Sequence, residues 1–263
     1  FTMFDHFFGA GGRIFDSAFI YNNGMGDKYL GNWMSSRGVQ GEVIVIGKAA
    51  HTPHCEPKFI RPQIIESLER LQTTQLDIFC LHRDNPEVPV SEFVDALTEV
   101  KNEGLIDLIG ASNWEFHRFS EARDYASISG RESFTVLSNN FSLAEMIEPV
   151  WPGCVGVTDQ YLNYLIEEEV MLFPWSSQAR GFFIKQKEVM SSDHFSNPNL
   201  DEEIRVWHHE KNLKRRQACF DLADERKVQP IQIALAYVLH KSHLIFPLIG
   251  PRSISESNSS IQA

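Results

Sequence analysis

The chain has 263 residues, 43% of them hydrophobic, and a formal net charge of −11. That length can bury a sizeable core, either as one α/β barrel or as two small domains. The acidic balance argues against a nucleic-acid or anionic-membrane surface, and no apolar run approaches the ~20 residues of a membrane span. The cysteines Cys55, Cys80, Cys154 and Cys219 show no CxxC spacing. They read as free thiols of a reducing compartment, and without a visible signal peptide the expected location is the cytoplasm.

In chain order, residues 2–8 (TMFDHFF) read as a helix that Gly9, Gly11 and Gly12 stop. A strand over 13–17 follows, then turn residues Asn22, Asn23 and Gly24, then a helix over about 27–36 with Tyr29, Leu30, Trp33 and Met34 at helical spacing. Residues 42–48 (EVIVIGK) form a continuous apolar run, as expected of a parallel strand covered on both faces. Pro62 suits a first helical turn, with Ile64, Ile65, Leu68 and Leu71 along one face. Strands are expected at 76–82, 106–112, 134–139, 170–176 and 244–250, and helices at 91–103 with Ser91 as cap, 115–125, 161–168, 211–226 and 230–239. The polar segment from 184 to about 199 reads as a mobile loop.

Strands and helices thus alternate, which means a parallel sheet with helices outside it. The first three apolar strands end in Asp16, Lys48 and His82, with Tyr21 five residues beyond Asp16. An unpaired carboxylate at the end of a buried strand is very costly, so Asp16 needs a partner, and Lys48 is the candidate. No GxGxxG follows the first strand, which argues against an open dinucleotide-binding sheet. Polar residues sit at many strand ends, and a closed barrel gathers all of its strand ends on one face. The expected architecture is therefore a single (β/α)8 barrel over residues 1–263.

On these residues the chain resembles the aldo-keto reductases, NADPH-dependent oxidoreductases on a (β/α)8 barrel. FDSAFIYNNG looks like that family's strand-end Asp followed by its catalytic Tyr, and VIVIGK and IFCLHRD carry the Lys and the His in the family's order. The resemblance implies a catalytic set of Tyr21, Lys48, Asp16 and His82. It implies that Ser112 and Asn113 of IGASN hold the nicotinamide amide, with Asn140 where the family often has Gln. Trp175 of PWSSQARGFF would stack on the nicotinamide where the family often has Tyr. Ser176, Gln178, Arg180 and Gly181 of that segment would wrap the diphosphate. FPLIGPR and the residues after it, Gly250, Arg252, Ser253 and Glu256, would take the adenosine 2′-phosphate. The family has a strand before the first one read here and a helix after the last, and both are expected to be missing from this chain.

The implied function is reversible NADP(H)-dependent reduction of an aldehyde, ketone or sugar carbonyl. Tyr21 would act as the general acid, with Lys48 lowering its pKa and Asp16 holding Lys48 charged. His82 would orient the substrate oxygen. Trp114, Phe141 and Trp151 are expected as an apolar substrate wall, the long loops 83–89, 141–159 and 184–207 shape the pocket, and Arg83 is expected to face solvent. Two other readings stay open: a cofactor-binding regulatory or redox-sensing protein with little turnover, and a metal-dependent hydrolase on the same barrel type. For the last, His51, His54, Cys55 and Glu56 have zinc-ligand types, but their spacing around a proline is not that of an HExxH helix, and a polar loop at the rim of the site is preferred. Neither a metal, a nucleic acid nor a membrane is expected as partner.

Overall fold

The structure, a computed structural model, describes residues 1–184 and 198–263. Most of the segment expected to be mobile, 185–197, lies outside the described residues. The chain divides into two compact units, Phe1–Ser138 with Glu169–Met171, and Asn139–Glu168 with Leu172–Ala263.

The first unit alternates as the sequence predicts. Its elements are α1 (Thr2–Gly9), β1 (Ile14–Asp16), α2 (Met25–Arg37), β2 (Ile44–Ala49), α3 (Pro57–Leu71), β3 (Leu76–Leu81), α4 (Val90–Asn102), β4 (Ile106–Ala111), α5 (Phe116–Ser129) and β5 (Val136–Leu137). The strands pair in parallel in chain order. At Met171, β6 (Met171–Leu172) begins, and its N–H donates to Thr135 O at 3.0 Å. Helix starts differ from the sequence reading where proline decides them. Helix α3 opens at Pro57 and carries Pro62 in its interior. Helix α4 is capped by Pro89, whose extended ψ of 140° turns the chain in, rather than by Ser91.

Register explains why one edge of this sheet is polar. Side chains of partnered residues in parallel strands share a face, and alternate residues along a strand return to it. Asp16 pairs with Ile46, and Lys48 lies two residues further along the same face. Lys48 pairs with Cys80, Cys80 with Gly110, and Gly110 with Val136. Two residues beyond this layer come His82, Ser112 and Ser138. The apolar layers below are packed by α3, α4 and α5, whose Ile60, Ile64, Leu97, Phe93, Phe119 and Ala122 are all fully buried. Burial of such side chains is worth about 1.5–3 kcal/mol each.

The second unit holds α6 (Asp159–Glu167), α7 (Pro198–Trp207), α8 (Glu210–Arg226), α9 (Pro230–Leu239) and α10 (Ile254–Ile261). The expected strand over 244–250 runs beside residues 172–174 with ladder bonds, Phe246 N–H to Leu172 O at 2.8 Å and Leu248 N–H to Pro174 O at 3.0 Å, without becoming a regular strand. Helix α7 occupies part of the stretch expected as loop. Helix α10 stands after Gly250, where the closing helix was expected to be missing; Ser253 caps it by accepting from the Glu256 N–H. No helix among the described residues is long and apolar enough to cross a membrane.

Gly110 is where the first unit has least room. A Cβ there would come within 2.1 Å of the Val136 carbonyl oxygen. Gly110→Ala must therefore push β4 and β5 apart, and overpacking of this kind costs about 3 kcal/mol. Denaturant unfolding is the measurement, and an unchanged midpoint would show that the strands do not approach as described.

Candidate active site

The first unit brings Asp16, Tyr21, Lys48 and His82 together. The chain leaving β1 keeps following β2, with Ser17 N–H on Ile46 O and Phe19 N–H on Lys48 O, both at 2.8 Å. This carries Tyr21 alongside Lys48. The loop is closed at both ends. Buried Asp27, in the first turn of α2, accepts from the Ser17 hydroxyl and, at 2.9 Å, from the Ser67 hydroxyl of α3. Arg70 donates to Phe19 O at 2.9 Å and lies against Gly24, where any Cβ would strike the guanidinium.

Lys48 is buried and forms an ion pair with Asp16. Burial disfavours its charge, but the Asp16 carboxylate and the Tyr21 oxygen outweigh this and raise its pKa above the ordinary lysine value. The Lys48 ammonium lies 5.0 Å from the Tyr21 ring centre, near enough for its charge and that of Asp16 to act on the phenol. The Tyr21 pKa is raised, not lowered as the sequence suggested. Burial of the hydroxyl is the largest cause, and Lys48 opposes it without overcoming it. The phenol is thus fully protonated at neutral pH while its conjugate base has a cation beside it. The residue as a whole keeps 39% of its surface exposed.

His82 packs edge-on against Tyr21, with ring centres 5.6 Å apart. Burial, then the charges of Lys48, His51 and Arg83, hold its pKa well below the ordinary histidine range, so the ring is neutral. Its Nδ1 is buried with no hydrogen-bond partner among the described residues. Such an orphan in a native interior calls for an explanation such as a catalytic role. Asn113 Nδ2 donates to Ser112 Oγ at 2.9 Å and to His82 O at 3.4 Å, and Ser112 Oγ donates to Ser138 O at 2.6 Å. Arg83 does not face solvent. It is buried and donates to His82 O at 2.9 Å. Trp114 is also not a wall residue: it is fully buried between Phe93 and Phe134 at 5.6 and 5.4 Å.

The second unit gathers most of the other expected residues round a cleft of about 780 Å³ lined by Ser176, Gln178, Arg180, Gly181, Gly250, Arg252 and Glu256 among others. Ser176, Ala179 and Arg180 all have left-handed φ, at 49°, 47° and 51°. Strained backbone of this kind persists where the surroundings over-determine it, commonly at ligand sites. Arg180 pairs with Glu202 at 2.8 Å and lies 5.2 Å from the Trp151 ring centre. Arg252 is largely exposed and pairs with Glu256 at 3.1 Å. Asn140 donates to Trp175 O at 3.0 Å, and the Trp175 Nε1 is buried with no partner among the described residues. Trp151 lies 6.5 Å from Trp175 and is half exposed, whereas Phe141 is buried against Tyr237. Sequence reasoning missed Glu202 and Ser260, the partners of Arg180 and Gln178; both are distant in the chain and carry no local signal. Among the described residues no group of three or more His, Cys, Asp or Glu is placed to hold a metal. Cys55 instead donates its thiol to Arg83 O at 3.0 Å, and His54 packs on Phe59 at 4.7 Å.

The neutral state of His82 has a measurable consequence. Unfolded, it takes a proton near pH 6.5, and folded only at lower pH, so between these values the unfolded chain holds more protons. Stability then rises with pH across that window and is lost as pH falls below about 6.5, by up to ~1.4 kcal/mol per pH unit from this one group. His82→Asn is expected to remove that part of the slope in denaturation curves between roughly pH 5 and 7. An unaltered slope would contradict a neutral, buried ring.

Comparison with known proteins agrees with this geometry. Residues 1–263 match the Aldo/keto reductase family. The chain is 26% identical to norsolorinic acid reductase B of Aspergillus parasiticus over 97% of its own length and 67% of the relative's. It is 24% identical to norsolorinic acid reductase of Aspergillus flavus over 100% and 66%. It is 23% identical to aryl-alcohol dehydrogenase [NADP(+)] of Phanerodontia chrysosporium over 100% and 71%. The chain thus spans about two thirds of the length of the curated relatives it matches. A match along every residue leaves one conclusion: the chain belongs to the aldo/keto reductase family, whose named relatives are oxidoreductases of carbonyl and alcohol groups.

Proposed function

We propose that the protein is an NADP(H)-dependent carbonyl reductase in which Tyr21 is the proton donor. The observation that carries this is the Asp16–Lys48 ion pair beside Tyr21, with neutral His82 against the phenol. NADPH, when bound, supplies the hydride. The residues of the second unit fit such a cofactor: the cleft carries two arginines, a glycine with φ of 92°, and strained backbone that turns its amides. Ser176, Gln178, Arg180 and Gly181 would hold the diphosphate, and Arg252, Ser253 and Glu256, beside Gly250, the end bearing the 2′-phosphate. Trp175, oriented by Asn140, would lie against the nicotinamide; Ser112 and Asn113 are the residues that the family resemblance assigns to its amide. The printed cofactor of the aryl-alcohol dehydrogenase relative favours NADP over NAD.

The residues of the first unit then act in order. His82 would donate one hydrogen bond from Nε2 to the substrate oxygen, its Nδ1 being buried with no partner among the described residues. The Tyr21 hydroxyl donates its proton to that oxygen as negative charge develops there. Lys48 stabilises the phenolate left behind, and Asp16 keeps Lys48 charged throughout. General acid catalysis of this kind is worth about 10²–10⁴-fold. The relatives' names favour an aromatic carbonyl compound over a sugar. Trp151 is the exposed aromatic suited to an apolar wall; Phe141 and Trp114, both buried, are not.

Tyr21→Phe is expected to lower kcat by about 10²–10⁴-fold while NADPH still binds, as read by quenching of tryptophan fluorescence. Full turnover in that variant would remove Tyr21 from the chemistry. Arg252→Ala should weaken NADPH about tenfold, the effect of losing one charge-assisted contact, and leave NADH unchanged. Equal weakening of both nucleotides would assign Arg252 some other role.

A further inference from the structure

The loop after β2 carries a second imidazole that the proposed mechanism does not use. His51 packs edge-on against His82, with ring centres 4.9 Å apart. Three links fix it there. Ala50 is buried and left-handed at φ 56°, and its N–H donates to the buried Gln63 Oε1 at 2.9 Å. His54 N–H closes a turn on His51 O at 2.8 Å. Asn85 Nδ2 donates to Cys55 O at 3.1 Å, so the loop is tied to the one that follows His82. A non-glycine residue held left-handed costs of order 1–3 kcal/mol, and such positions cluster where a site needs a group aimed.

His51 Nδ1 lies 2.9 Å from the Thr52 carbonyl oxygen. A carbonyl only accepts, so this nitrogen carries the proton and Nε2 is a lone-pair acceptor. Burial also keeps the ring below the ordinary histidine pKa, in keeping with a neutral imidazole. Nε2 has no hydrogen bond among the described residues and is not sealed from solvent. The site therefore presents two neutral imidazoles side by side, and that of His51 offers an acceptor.

We propose that His51 is a specificity residue that accepts a hydrogen bond from a hydroxyl on the carbonyl substrate, so that the enzyme selects hydroxyl-bearing carbonyl compounds. This rests on the reductase reading above. A substrate oxygen held by His82 and a hydroxyl held by His51 sit within the span of one small ring, given the 4.9 Å between the imidazoles. A site that accepts from a substrate O–H discriminates against the analogue lacking it, because the acceptor is then left unpaired.

The test compares NADPH oxidation by the full chain with 3-hydroxybenzaldehyde and with benzaldehyde. The native protein should favour the hydroxylated aldehyde about tenfold in kcat/KM, the effect of one neutral hydrogen bond, mainly through KM. His51→Phe keeps the aromatic edge against His82 and should bring the ratio to about one; His51→Gln, whose amide oxygen can accept, should retain part of the preference. A ratio unmoved by His51→Phe, or no preference in the native protein, overturns the proposal while leaving the reductase reading intact. Turnover of neither aldehyde by the native protein, with NADPH binding confirmed by fluorescence, overturns the reading and the proposal together.

Discussion

The first unit is organised around one buried ion pair. Lys48 is nearly inaccessible to water, and a lone ammonium in that position would lose its proton. Asp16 keeps it charged, and the parallel register makes the pairing obligatory, since both side chains fall on one face of neighbouring strands. Replacing such a pair with apolar residues often leaves a protein as stable or more so, so stability alone does not explain its presence. What the pair supplies is a fixed positive charge next to a phenol, in a place where solvent cannot screen it. The raised Tyr21 pKa belongs to the same arrangement. The phenol stays protonated at neutral pH, with a positive charge beside it.

The two units carry different kinds of charge. The first contributes neutral or internally paired groups: a protonated phenol, a compensated lysine and an unprotonated imidazole. The second contributes arginines whose carboxylate partners, Glu202 and Glu256, come from α7 and α10. An anionic ligand at Arg180 or Arg252 competes with those carboxylates. The affinity of that cleft is then a difference between two ion pairs and depends on salt less steeply than two free arginines would.

Much of this was legible in the sequence. Apolar strand runs that stop abruptly at Asp16, Lys48 and His82 announce a buried sheet with a polar edge, because nothing else makes an ionisable residue tolerable there. Helix starts were less legible, since Pro57 and Pro89 act through backbone angles rather than side-chain caps. Arg83 and Trp114 were misjudged for a common reason: composition reports what a residue prefers, whereas Phe93, Phe134 and the His82 carbonyl decide where these two go. Glu202 and helix α7 follow a polar stretch with no periodic pattern. The direction of the Tyr21 pKa depends on burial of the hydroxyl of a residue that is partly exposed, and no pattern of letters encodes that.

The closed loop from Ser17 to Asp27 also bears on how such a chain can change over time. Its ends are joined through Ser17, Asp27 and Ser67, and its middle carries Tyr21. Tyr21 is thus placed by contacts with α2 and α3. The loop that holds His51 is held by Gln63, which also belongs to α3, and by the contacts of Cys55 with Arg83 and Asn85. On the proposed reading, a change at Gln63 would reach what is recognised first and a change at Ser67 or Arg70 the proton donor, although all three stand on α3. One helix therefore carries two loops whose imidazole and phenol meet at His82, so a shift of α3 moves both together.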